Sequence, residues 1–175
     1  MSNSGSKNKR VLTTREMSVF AMLGAVMFIG DFVFEWAMNV HPLTMLLIAY
    51  TVVYRKKGII PFVVYLLLQA AVSFGLWIVP YCYIFPLCWL CTLAVPEGMS
   101  EKKRQVCYTV ICTAFGLFFG VLYAPWNAVI RGFNMQATVS WIIAGLPADA
   151  IHALGNFVAS FLIFPIVKLI KRIEK

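Results

Sequence analysis

Residues 43–78 read LTMLLIAYTVVYRKKGIIPFVVYLLLQAAVSFGLWI. Two apolar runs meet at Arg55-Lys56-Lys57, and neither run carries another charge. The same pattern extends in both directions. Of the 15 Lys and Arg residues, all but Arg131 fall in four clusters: Lys7, Lys9, Arg10 and Arg15; Arg55–Lys57; Lys102–Arg104; and Lys168, Lys171, Arg172 and Lys175. Uncharged or nearly uncharged connections alternate with them, at Asn39–Pro42, Ile78–Tyr81 and around Arg131–Gln136. Lys and Arg are retained on the cytoplasmic side of a membrane, so every second connection is expected there. The expected fold is an all-α membrane protein, a six-transmembrane-helix bundle with both termini cytoplasmic. Its expected place is a bacterial-type plasma membrane.

Composition points to the same class. Hydrophobic residues make up 61%, charged residues 13%, and the mean hydropathy is +0.82. Soluble domains are nearer half apolar and a quarter charged. The net charge of +8 does not form one basic face, so no nucleic-acid partner is expected. Residues 1–15 are expected to be a disordered basic tail, and residues 16–175 a single integral membrane domain. The first apolar run is too long for a cleavable signal and reads as a signal anchor.

The segments expected are Met17–Met38, Leu43–Tyr54, Ile59–Ile78, Tyr81–Val95, Val106–Ile130 and Ala148–Val167. The first would extend about 33 Å as a helix, enough to cross. The second would extend only about 18 Å, so its outer end is expected below the surface. Pro147 is expected to divide the last apolar stretch, leaving Val139–Leu146 along the outer surface.

On this topology the polar residues within the spans gather in the outer half. Asp31 and Glu35 share a face of the first segment, and Gln69 and Ser73 share one on the third. Trp126 and Asn127 lie near the outer end of the fifth. Asp149, His152 and Asn156 form one face of the sixth. Ionisable groups in hydrocarbon are costly and usually face a cavity or a partner. A solute pocket open to the outside is the expectation. The bland alternatives are a helix-dipole role for Asp149 in the first turn after Pro147, a packed His152 and an interhelical Asn156. Tyr81, Tyr83, Trp77 and Trp126 also fit an aromatic belt, and Arg131 a membrane-boundary residue.

Catalytic and metal signatures are weak. Cys88-Trp-Leu-Cys91 lies in an apolar span without a second pair or a nearby His. There is no HExxH, GxSxG or glycine-rich phosphate loop. No cofactor and no metal site are expected.

Ala21 and Ala25 lie four apart on the inner half of the first segment, beside Gly24. Small residues at this spacing let another helix approach closely. With six spans, inside termini and an outer pocket, the chain resembles the S component of an energy-coupling factor (ECF) transporter, from Arg15 to Arg172. Ala21-x-x-x-Ala25 matches the docking motif of that family. The stretch 141–157, WIIAGLPADAIHALGNF, is similar to the end of many S components, with Asn156 at a ligand position. The chain lacks the Ser-Leu-Gly run of thiamine-type members.

The resemblance implies a non-enzymatic subunit that binds a vitamin-like micronutrient. Its partners would be a transmembrane T component and two cytoplasmic ATPases, with membrane lipid around it. A stand-alone proton-coupled carrier and an intramembrane enzyme remain alternatives. Asp31, Glu35 and Asp149 favour a neutral or cationic solute, and the aromatic residues favour a planar ring. A pyridoxine-like vitamin, a pyrimidine or deazapurine base and a cobalamin-type ligand all stay open.

Overall fold

The computed structural model describes residues 12–34, 42–72 and 75–174. Among these residues eight α-helices follow one another: α1 (Thr14–Phe34), α2 (Leu43–Tyr54), α3 (Ile60–Val72), α4 (Tyr81–Leu93), α5 (Glu101–Leu117), α6 (Phe119–Arg131), α7 (Met135–Ser160) and α8 (Ile163–Ile173). No strand occurs among the described residues. Among the described residues, four stretches are long and apolar enough to cross a membrane: Thr14–Phe34, Leu76–Leu93, Glu101–Arg131 and Met135–Ser160.

The exterior has the character expected of a lipid-facing surface. Met22 is 61% exposed, Leu67 66% and Val129 73%, and large apolar side chains of this kind recur on every helix except α2. A soluble monomer rarely exposes so much contiguous apolar surface.

Helix α2 is the core. Every residue from Leu43 to Thr51 is buried, and α1, α3, α4, α5, α7 and α8 all touch it. This accounts for its length: a helix wrapped by protein need not match the thickness of hydrocarbon. Its polar groups are served internally, as when Thr51 Oγ1 donates to Leu47 O at 2.7 Å. The turn out of α2 is tight. Arg55 adopts φ 52°, and a side chain on Gly58 would run into the backbone of Thr51 and Tyr50.

Glycines set two other close approaches. Gly24 lets α1 lie against Val64 and the Pro61 carbonyl of α3. Gly116 brings α5 against the backbone of α7, where an added Cβ would sit 2.8 Å from Ala153 Cα.

Several expected boundaries differ. The helical part of the third segment is Ile60–Val72, followed by a 3₁₀ turn at Leu76–Ile78. The fifth begins earlier, at Glu101, and is interrupted at Phe118, whose φ of −96° and ψ of 6° leave the helical range. Pro147 does not divide the last stretch. Helix α7 runs through it to Ser160, and the break comes at Phe161–Leu162, where i→i+3 bonds to Val158 and Ala159 tighten the chain. A proline removes one backbone hydrogen bond, and packing of α7 against both α5 and α6 holds the helix across that loss. Pro165 stands in the first turn of α8, where its missing N–H is not needed. Residues 35–38 of the first expected segment lie outside the described residues.

The described members of the four basic clusters meet at one end. Lys57 pairs with Glu16, and Arg15 reaches the Glu174 carbonyl at 3.2 Å. Tyr54 donates to Glu174 Oε1 at 2.8 Å. Arg55 pairs with Glu97 at 2.5 Å, and Lys168 with Glu101 at 2.9 Å.

Candidate functional site

In the half of the bundle away from that end, polar side chains from four helices turn inward. On α1, Asp31 accepts a hydrogen bond from the Tyr65 hydroxyl of α3 at 2.9 Å. Tyr65 lies one turn before Gln69, so the two share a face. Gln69 borders a small cavity of about 80 Å³ with Gly75, Trp77, Ile78 and Tyr81.

A ladder of rings crosses the interior from Tyr65. Phe62 and Tyr65 stack at 5.7 Å, and Phe62 meets Phe85 at 4.9 Å. Tyr81 contacts Phe85 at 5.2 Å and Phe119 at 6.1 Å. Phe119 then meets the buried His152 ring edge-on at 5.1 Å. Offset and edge-to-face contacts of this kind add to the burial of each ring. The ladder joins α3, α4, α6 and α7.

Asp149 lies beside it, and its role differs from the dipole alternative read in the sequence. It is in the middle of α7, far from that helix's first turn. Its Oδ1 instead accepts the Gly120 N–H at 3.1 Å, in the first turn of α6. The interruption at Phe118 leaves that N–H without a carbonyl of its own helix. A carboxylate at a helix N-terminus is well placed against both the unpaired donor and the dipole. The capped helix is simply a different one. Asp149 Oδ2 is buried and has no partner.

Asn127 continues the buried face of α6 that includes Gly120 and Ala124. It is 3% exposed, and its Oδ1 is also without a partner. Its neighbour Trp126 points the other way and donates from Nε1 to the Leu76 carbonyl at 2.9 Å. Tyr123 donates to the Trp77 carbonyl at 2.9 Å, and the Arg131 guanidinium lies 5.5 Å from the Trp77 ring centroid. These three tie α6 to the turn before α4.

Asn156 lies closer to the basic end, in the seam between α5 and α7. It is 1% exposed and donates from Nδ2 to the Cys112 carbonyl at 3.0 Å, while its Oδ1 is unpartnered. The seam continues through Ser160, whose hydroxyl lies 2.9 Å from Thr109 Oγ1 and whose carbonyl accepts from Gln105. Asn156 is thus joined to α5 and separated from Asp149 by two helical turns.

The structure therefore groups Asp31 with Tyr65, and Asp149 with His152, with the ring ladder between them. Gln69 borders that group through Tyr81. Asn127, Trp126 and Asn156 lie around it on α6 and α7. Glu35 and His41 lie outside the described residues, as does Ser73. Tyr65 and Phe119 were not singled out in the sequence. The i, i+4 relation of Tyr65 to Gln69 carried a signal, whereas Phe119 had none among so many aromatic residues.

Among the described residues no group of three His, Cys, Asp or Glu side chains is placed to hold a metal ion. Cys88 is buried in the core, and Cys88 and Cys91 are both free thiols. On α1, Ala21 is exposed and Ala25 partly buried, while Gly24 between them faces α3.

Compared with family models, with curated proteins and with solved structures, the chain matches none.

Proposed function

We propose that the chain is the substrate-binding S subunit of an ECF-type transporter, crossing a plasma membrane six times with both termini cytoplasmic. One observation carries the solute-binding part of this reading. Asp149 Oδ2, Asn127 Oδ1 and Asn156 Oδ1 are buried without partners in a bundle whose exterior is apolar. An unpaired buried acceptor costs about 1–3 kcal/mol, and a bound solute with N–H or O–H donors would remove that cost. The aromatic ladder beside Asp149 suits a planar ring. The exposed Ala21 offers a small-residue surface to a T component, with Ala25 partly accessible behind it. The chain itself hydrolyses nothing in this reading, and two ATPases supply the energy.

Mass spectrometry of the small molecule that copurifies with the full chain tests the reading most directly. A bound heterocyclic micronutrient is expected, and calorimetric titration with it follows. Asn156→Ala should weaken binding about 5- to 150-fold with the fold retained. Unchanged affinity would leave Asn156 as a fastening between α5 and α7 alone. Recovery of a T component and ATPases with the wild-type chain, and their loss in Ala21→Trp, tests the partners. Orientation is read by single-cysteine labelling, and outside labelling at position 56 or 103 would overturn it.

A further inference from the structure

Charge is not evenly balanced at the basic end. The described residues there include Arg15, Arg55, Lys56, Lys57, Lys102, Lys103, Arg104, Lys168, Lys171 and Arg172 against Glu16, Glu97, Glu101 and Glu174. Glu16, Glu97 and Glu101 are each taken by Lys57, Arg55 and Lys168. Lys102 has no acidic partner among the described residues. It borders a groove of about 460 Å³ with Glu101, Gln105 and Phe164, between the first turns of α5 and of α8.

Three details define what the groove can hold. The Arg104 guanidinium lies 5.6 Å from the Phe164 ring centroid, and its Nε is buried without a partner. Arg104 thus packs on Phe164 without lining the groove, and Lys102 is the cation that borders it. Gln105 spends its amide nitrogen on Thr109 Oγ1 at 3.1 Å and the Ser160 carbonyl at 3.0 Å. Its amide oxygen is what remains to offer, next to the Glu101 carboxylate. Finally, Lys102, Val106 and Val110 are four apart and all exposed, a single stripe leading from the charged end along the apolar surface.

We propose that this groove binds the headgroup of an anionic phospholipid bearing free hydroxyls. The phosphate lies against Lys102, the hydroxyls donate to the Gln105 amide oxygen and the Glu101 carboxylate, and an acyl chain follows Val106 and Val110. A quaternary ammonium headgroup would meet Lys102 with like charge and has no hydroxyl for the two acceptors. A free phosphate ester would leave the apolar stripe unused. The proposal depends on the chain spanning a membrane and not on what it carries.

Native mass spectrometry of the purified full chain in detergent, titrated with phosphatidylglycerol or phosphatidylcholine, tests it. Phosphatidylglycerol should bind more tightly. Lys102→Ala should weaken that binding about fivefold, the contribution of one lysine near an anionic lipid, and leave phosphatidylcholine unchanged. Lys56→Ala, at the α2–α3 turn, should change neither. Equal affinity for the two lipids would overturn the proposal, as would Lys102→Ala without effect. An equal loss in Lys56→Ala would mean a diffuse basic surface and no defined groove. Glycerol phosphate competing as well as the intact lipid would show that the acyl track plays no part.

Discussion

At the end of the bundle that holds Arg15 and Glu174, acids and bases meet in pairs, and the pairs are exposed. In the other half, the Asp31 and Asp149 carboxylates accept from a tyrosine hydroxyl and a backbone N–H. The described acidic residues divide accordingly: Glu16, Glu97, Glu101 and Glu174 on one side, Asp31 and Asp149 on the other. Exposed pairs cost little and contribute little, because water and salt screen both partners. Buried carboxylates cost a great deal unless specific donors meet them. The basic end can therefore tolerate change, whereas the opposite half holds each polar group by geometry.

The largest effect expected from this difference lies in the seam that sets the geometry. Gly116→Val would drive a side chain into the α7 backbone, which cannot move aside as a flexible side chain would. A loss of about 3 kcal/mol is expected, seen as a steep fall in the thermal midpoint of the detergent-solubilised protein. Gly145 is the internal control. Nothing lies within 4 Å of an added Cβ there, so Gly145→Ala should leave the midpoint unchanged or raise it. Equal effects at the two glycines would break the claim that α5 and α7 touch at Gly116.

A smaller effect is expected at Asp149. Removing the carboxylate in Asp149→Ala strands the Gly120 N–H and should cost about 2 kcal/mol in chemical unfolding. Asp149→Asn keeps an oxygen for that donor and should recover most of the loss. If Asn behaves like Ala, the charge itself matters, and the helix-capping account of Asp149 is incomplete.

The smallest effect belongs to the basic end. Lys57→Ala, which removes the partner of Glu16, should shift the thermal midpoint least of the three. Whatever shift remains should vanish in high salt, since it depends on a screened charge. A salt-insensitive loss as large as that of Asp149→Ala would erase the contrast between the two ends.

Much of the architecture was legible from hydropathy because hydropathy is local. The bounds of α2 follow from the apolar run between Pro42 and Arg55, and its brevity hinted at an unusual environment. The seam of α5 and α7 was less legible. Gly116, Cys112 and Thr109 face α7 at helical spacing, but nothing in their identity names Ala153, Asn156 and Ser160 as the opposite side. The polar face of Asp149, His152 and Asn156 was visible as a spacing. That Asn156 fastens to a backbone carbonyl while His152 meets a ring was not, because the partners lie on helices distant in sequence.

The sequence by itself determined an all-helical fold with helices apolar enough to cross a membrane, through long apolar runs, and the gathering of basic clusters on alternate connections. Each is set by the composition of a short stretch and needs no knowledge of its neighbours. Only the tertiary structure decided where the last helices break and what Asp149 does. A proline inside a helix weakens it by one hydrogen bond, but α7, packed against α5 and α6, continues through Pro147, while the chain turns at Phe161–Leu162. Asp149 caps a helix that begins at Phe119, in another part of the chain, because a backbone donor freed there by Phe118 lies within reach of its carboxylate.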